Sequence, residues 1–359
     1  MSTSAEHDVT DSAPAETAAP ASRAGRGAQL AMLFLRGRTL IVLIVLVIMF
    51  SLISGDYLTT SNLLLMSKHV SITGLMAIGV TFVILTGGID LSVGSVAGLA
   101  GMIAGGLLYE GLKLPGGDTL WFSAIMVIVI AVLVGAVVGA INGLLVTKLK
   151  VAPFIATLGV LYAARGLADL RSNGATYPNL AGTPARHNTG FSTLGIKSWL
   201  GVPVAIWIMV LVAVVAIIVT TRTPFGRRIY AVGGNERAAE LAGIRTSRVK
   251  IATYVISGAC AALAGLVLTS ELGAAYPDTA TTYELNAIAA AVLGGTSLTG
   301  GKGTIIGTIV GALVIGFLSD GLVLVGVSSF WQLVVKGTVI VLAVVMEQTQ
   351  ERVKTRMTT

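Results

Sequence analysis

The sequence predicts an all-α integral membrane protein of about ten transmembrane helices, some interrupted by glycine, with both termini cytoplasmic. Three observations predict it. The chain is 54% hydrophobic and only 11% charged over 359 residues, where a soluble domain carries about 25% charged residues. Several apolar runs reach the roughly 18 residues that mark a membrane-spanning helix. One of these, Trp121 to Leu145, contains no charged residue. Glycine is abundant, at 44 residues, as expected where backbones approach closely in lipid. With a mean hydropathy of +0.87, a single soluble core is excluded.

Residues 1–37 read as a disordered cytoplasmic tail of Ala, Ser, Thr, Pro and charge without apolar periodicity. They do not read as a secretory signal, because the apolar run begins late and no small-residue cleavage site precedes the next span. The permeation domain is expected at 38–346, with spans at 38–54, 66–86, 91–112, 121–146, 151–171, 201–221, 251–272, 284–296, 304–322 and 328–346. Residues 347–359 read as a cytoplasmic tail. With the amino terminus inside, 17 of the 24 basic residues fall in cytoplasmic segments, among them Lys148, Arg227, Arg228, Arg245, Arg248 and Arg352. That asymmetry sets orientation, and it accounts for the net charge of +7 without a nucleic-acid partner. Cys260, the only cysteine, lies in an apolar segment and reads as a packing residue. His7, His69 and His187 are scattered and offer no metal-ligand spacing.

Two connections are long: a polar outer loop at 172–200 ending in the mildly amphipathic FSTLGIKSWLG, and an arginine-rich inner loop at 222–250. Long loops tend to carry function.

The stretch GGTSLTGGKGT at 294–304 looks like a phosphate cradle. A Walker A loop, however, needs glycine five residues before Gly301, where Thr296 stands, and Ser or Thr after Lys302, where Gly303 stands. It also lies between apolar segments rather than after a β-strand. A better comparison is internal. GGIDLSVG at 87–94 matches GGTSLTGG at 294–301 in both leading glycines, in Leu91 with Leu298 and in Gly94 with Gly301. Paired glycine-broken segments, one per half, point to a solute path in repeat-built transporters. The other reading is a pair of cytoplasmic turns, with Asp90 or Ser92 capping the third span. On the first reading Gly87, Gly88, Asp90, Ser92, Asn142, Asn286, Gly294, Gly295 and Thr296 are path candidates. Asn142, Asn286, Thr296 and Gln332 suit a neutral polyhydroxylated solute and equally suit interhelical hydrogen bonding. Small residues at every fourth position, as at Gly135, Gly139 and Gly143, predict close helix contacts.

Asp90, Arg165, Asp169, Glu271, Asp320 and Lys336 fall in or near spans, most of them near an end. No array of carboxylates and histidines runs through the spans, as a proton relay would need.

In the inner loop, Gly233 and Gly234 are expected to break the chain. Asn235 is a good N-cap and Glu236 suits the first turn. Ala238, Ala239, Leu241 and Ala242 give a small apolar face, closed by Gly243. Such a helix is too short to be stable alone and asks for a groove in a partner. The alternative is a helix lying on its own protein or on anionic lipid.

GGIDLSVGSVAG, YAVGGNERAAELAGI, YELNAIAAAVLGGTSLTGGKGT and GVSSFWQLVVKG, in that order, resemble the permease subunit of ribose-type bacterial ABC sugar importers, of the branched-chain amino acid and monosaccharide permease superfamily. The resemblance runs from about residue 40 to 346; the amino-terminal tail and the outer loop depart from it. It implies a multi-pass protein of the bacterial cytoplasmic (inner) membrane that pairs with a second permease copy, usually as a homodimer. It also implies an extracytoplasmic sugar-binding protein and a separate ABC ATPase subunit that binds ATP and Mg, this chain binding no cofactor and catalysing no reaction. Gly234, Asn235, Glu236, Ala238, Ala239, Leu241 and Gly243 then fall in the coupling helix that docks into the ATPase. The competing readings are a stand-alone carrier and a membrane enzyme, the latter without any nucleophile–base set or carboxylate dyad.

Overall fold

The computed structural model describes residues 26–358, with side chains for 39–342, 344 and 345. It divides into two units, residues 1–38 and 39–359. Most of the expected tail, residues 1–25, lies outside the described residues; from Arg26 the backbone is helical.

Every apolar stretch forms a helix. In chain order these are α1 (Arg26–Ile53), α2 (Thr60–Leu85), α3 (Val93–Tyr109), α4 (Ala124–Thr147), α5 (Pro153–Leu170) and α6 (Val204–Arg222). The inner loop folds as α7 (Pro224–Gly234) and α8 (Glu236–Leu241), and α9 (Thr246–Leu272), α10 (Tyr283–Leu293), α11 (Ile305–Leu324) and α12 (Ser329–Thr358) follow. Five of them, α2, α4, α6, α9 and α11, are long and apolar enough to cross a membrane. The α10 helix is shorter than its sequence pattern suggests: its 11 residues rise about 16 Å. The α12 helix runs on to Thr358, through the segment expected as a tail.

Local chemistry sets the boundaries. Thr59, Ser123, Thr223 and Thr304 each accept a hydrogen bond from a backbone N–H in the first turn of α2, α4, α7 and α11. Pro153 opens α5, where its missing N–H costs nothing.

The core of the second unit is built on α2 and α9. Buried residues of α2 run almost without break from Val70 to Leu85, and α9, α10, α11 and α6 surround it. The α9 helix also packs along α3 and α4. The glycine stripe of α4 makes the second contact. A Cβ at Gly139 would lie 2.8 Å from the Tyr254 carbonyl carbon and 3.1 Å from Val255 Cα, and one at Gly143 would lie 2.7 Å from Ile251 Cα. The two backbones touch where any side chain would hold them apart.

The outer loop is docked rather than free. Tyr177 pairs with Ala275 in an antiparallel bridge. Leu180 N–H donates to Gly273 O at 2.9 Å, and buried Asn188 donates to Leu108 O at 2.9 Å. The end of the loop, read as mildly amphipathic, forms a 3-10 turn at Phe191–Thr193 followed by a two-residue strand, Ser198–Trp199. This strand pairs antiparallel with Val202–Pro203.

Replacing Gly139 by Leu is expected to lower the melting temperature of the detergent-purified protein, the overpacking costing about 1–3 kcal/mol or more. Gly159→Leu is the control: Gly159 lies on α5 with no atom within 4 Å of a would-be Cβ, and its melting temperature should stay near that of the parent.

Candidate coupling site and translocation path

The α8 helix is a single six-residue unit, too short to hold itself in water, and its ends and flanks are fixed from outside. Asn235 Oδ1 accepts the Ala238 N–H at 3.0 Å. At the other end Ile244 N–H reaches Ala239 O at 3.0 Å and Gly243 N–H reaches Glu240 O at 2.9 Å. With Gly243 at φ +81 this is a Schellman closure. Two side-chain bonds strap α8 to the start of α9: Lys250 Nζ to Glu236 at 2.7 Å and Thr246 Oγ1 to Glu240 at 3.0 Å. The apolar face divides. Ala239 is turned inward at 5% exposure, while Leu241 stands out at 78%. Gly234, Asn235, Glu236, Ala238 and Gly243 are exposed as well.

The chain break expected at Gly233 and Gly234 comes one residue later. Both glycines end α7, and Asn235 is at once the last cap of α7 and the first of α8. The glycines serve close approach instead. Gly301 N–H donates to Leu85 O at 3.0 Å. A Cβ at Gly233 would overlap the Leu85 carbonyl and lie 2.5 Å from Gly301 N, and one at Gly301 would lie 2.8 Å from Gly234 Cα. Tyr230 OH donates to Gly303 O at 2.9 Å; burial pushes its pKa up, so it remains a protonated donor. Both glycine-rich turns and the root of α8 therefore meet at one backbone junction.

The two turns are not superimposable by their motif. In the first, Gly87 takes the left-handed conformation, φ +76; in the second it is Gly295, φ +89, one position out of register. The second turn also closes an extra loop, with Ser297 N–H on Lys302 O at 2.9 Å.

Asp90, Ser92 and Asn142 come together in one network in which both Asp90 oxygens are taken, while Asn142 Oδ1 is buried without a partner. Asp90 Oδ1 accepts Ser92 N–H at 3.0 Å and Ser92 Oγ–H at 2.6 Å, and Oδ2 accepts Ser257 Oγ–H at 2.8 Å. Asn142 Nδ2 donates to Ser92 Oγ at 2.8 Å. Asp90 is 1% exposed. Ser92 precedes α3 but makes no side-chain cap; Asp90 accepts the N–H of Ser92 itself, ahead of the helix. The network ties the α2–α3 turn to α4 and α9. Gly88 lies beside it, with a would-be Cβ 2.8 Å from Tyr254 OH. Gly294 packs against the backbone of Gly307, and Thr296 is fully buried with its hydroxyl unpartnered.

Asn286 stands elsewhere, on a polar cavity between α2, α10, α11 and α12. There the sequence reading needs correction. His69, read as isolated, has Nδ1 at 2.9 Å from Asp320 and Nε2 at 3.9 Å from Glu271, and Lys68 pairs with Glu271 at 3.0 Å. Residues more than two hundred positions apart form this group, so no local spacing could have announced it. Ser257 was missed for the same reason: a serine in an apolar helix carries no signal until its partner is placed.

The family described as "branched-chain amino acid transport system / permease component" matches residues 62–344. The chain belongs to this permease family. Its relatives include the ribose import permease protein RbsC of Bacillus subtilis (strain 168), 47% identical over 306 residues, covering 85% of this chain and 90% of that protein. RbsC of Escherichia coli (strain K12) is 41% identical, covering 88% and 94%. The xylose transport system permease protein XylH of the same strain is 35% identical, covering 83% and 87%. No solved structure matches. The four motifs read in the sequence thus lie in a ribose-type permease, a transport subunit rather than an enzyme.

Two substitutions probe the site. Ser257→Ala removes one donor from the buried Asp90 carboxylate and is expected to cost about 1–3 kcal/mol, read as a lower melting temperature with α-helical content unchanged. Gly88→Leu drives a branched side chain at Tyr254; reconstituted uptake is expected to fall to a small fraction of wild type, and normal uptake would show that the close approach is dispensable.

Proposed function

We propose that this chain is the transmembrane subunit of an ATP-driven importer for a monosaccharide or related polyol, forming the translocation path by alternating access. In this reading ten helices span the bacterial inner membrane with both termini inside, and two copies pair. An external binding protein delivers the solute, and a separate ATPase, which holds ATP and Mg, drives the cycle. The relatives named for ribose and xylose import support the solute class.

The observation that carries the mechanism is the mounting of α8. Its exposed face, with Leu241 at its tip, suits insertion in a groove of a partner, while its root reaches the glycine junction that holds both turns. A push on α8 would be delivered to the cytoplasmic ends of α2, α10 and α11 through backbone contacts that have no side-chain slack. One observation favours a second reading, a stand-alone cation-coupled carrier: the group of His69, Asp320 and Glu271 is the kind of titratable cluster that such carriers use. Proteoliposomes holding this chain alone separate the two. Gradient-driven uptake without any ATPase would favour the carrier.

Glu236→Arg sets a cation against Lys250, and Ala239→Pro removes the N–H that donates to Asn235 O at 3.0 Å. Both are expected to cut ATP-driven uptake at least about tenfold while membrane insertion and pairing persist, as loss of an interaction of more than about 1.4 kcal/mol would. Unchanged transport in either variant would refute the coupling role of α8.

A further inference from the structure

We propose that the cavity between α2, α10, α11 and α12 is a binding subsite where the hydroxyl groups of the sugar are held on its way across. The inference rests on the importer reading above and adds the place and the chemistry.

The cavity is about 210 Å³ and is lined by His69, Thr73, Asn286, Ser319, Asp320 and Gln332 among others. That is below the roughly 300–1,000 Å³ of sites for drug-sized ligands and suits a small solute. Its setting makes such polarity expensive. His69 and Asp320 lie on α2 and α11, both of spanning length, and ionisable groups inside a span are costly, by up to about 2.5–3.5 kcal/mol at its centre on insertion scales. Ionisable groups in that position are functional candidates by default.

The charges cancel. Of the charged groups on its wall, Lys336 balances Asp320, and His69 Nδ1 lies 2.9 Å from Asp320. A site with no net charge when His69 is neutral favours a neutral solute over an ion. Cancellation leaves hydrogen-bonding capacity unspent: Asp320, on the cavity wall, pairs through Oδ1, and its Oδ2 has no partner among the described residues. That oxygen can accept from a hydroxyl. Asn286 and Thr73 face the cavity, and among the described residues their side chains have no hydrogen-bond partner, so the amide can donate to one hydroxyl and accept from the next. The ring of Tyr283 supplies an apolar wall for the C–H face of a sugar. Acceptors, an amide and one aromatic ring are the complement of a pentose or hexose. The contrast with Asp90 is direct, since both of its oxygens are already taken by serines.

The test uses the full permease and two readouts. In proteoliposomes with the complete importer, supplied with whichever of D-ribose and D-xylose the wild type accumulates, Asn286→Ala is expected to lower uptake about three- to tenfold, the effect of one or two lost hydrogen bonds. ATPase activity stimulated by the binding protein should stay near wild type. On the purified permease, Asn286→Cys is labelled with a maleimide; Cys260 is buried and serves as an internal blank. Millimolar sugar is expected to slow that labelling, and sodium chloride alone is not. Either unchanged uptake in the alanine variant or absence of protection by the sugar overturns the proposal. Protection by sodium ions in place of sugar overturns it too, by assigning the cavity to a cation. Failure of the importer reading looks different: wild-type uptake would persist without the ATPase, whereas the protection assay needs no ATP.

Discussion

The structure turns on a contact that contains no side chains. Gly301 donates its N–H to the carbonyl of Leu85 at 3.0 Å, and Gly233 sits so close to both that a methyl group there would overlap the Leu85 carbonyl. Three segments distant in sequence are joined this way at the end of α2, the end of α7 and the turn before α11. Side chains hop between rotamers and absorb small displacements; backbone against backbone does not. The freed polar groups of the interrupted helices are also satisfied here, which irregular chain near a membrane requires. The abundance of glycine, which looks in the sequence like softness, works at this point as rigidity.

Two kinds of buried polar group emerge, and they differ in what is left over. Around Asp90 every carboxylate oxygen has a donor, and the group fastens α2 and α3 to α4 and α9. Around Asp320 and Glu271 each carboxylate pairs through one oxygen and keeps the other unpartnered. A carboxylate with both oxygens taken resists rearrangement, because breaking any of its bonds strands a buried polar atom. An open one can exchange partners with whatever enters. The same residue types thus serve fastening in one place and recognition in another, and the difference lies in bookkeeping of lone pairs rather than in composition.

Much of this was legible in the sequence where the signal is local. Apolar runs marked every long helix, although α1 begins well before its expected start and α12 runs well past its expected end; fourfold glycine spacing marked the face of α4 that meets α9, and Asn235 and Gly243 marked the ends of α8. What was not legible depends on distant partners. The α7 helix was hidden because PFGRRIYAVGG mixes charge and glycine, and its amphipathic face shows only once Ile229 and Val232 are buried. His69 looked isolated because Asp320 lies 251 positions away. The motif match between the two turns was real in letters yet off by one in conformation, since left-handed geometry falls on Gly87 in one and on Gly295 in the other.

The burial of α2 has a consequence for biosynthesis. It is the least apolar of the five spanning-length helices, with a mean hydropathy of 1.7 against 3.1 for α4, and 89% of its window is enclosed by protein. A helix hidden from lipid is released from the need to be greasy. Its shield, however, is α9, α10 and α11, all translated long after it. During synthesis α2 must wait, either held at the insertion machinery or sheltered by its early neighbours, until Thr246 and the residues beyond it emerge. Assembly of this chain in the membrane is therefore ordered from the outside inward, with the central rod the last to be sealed.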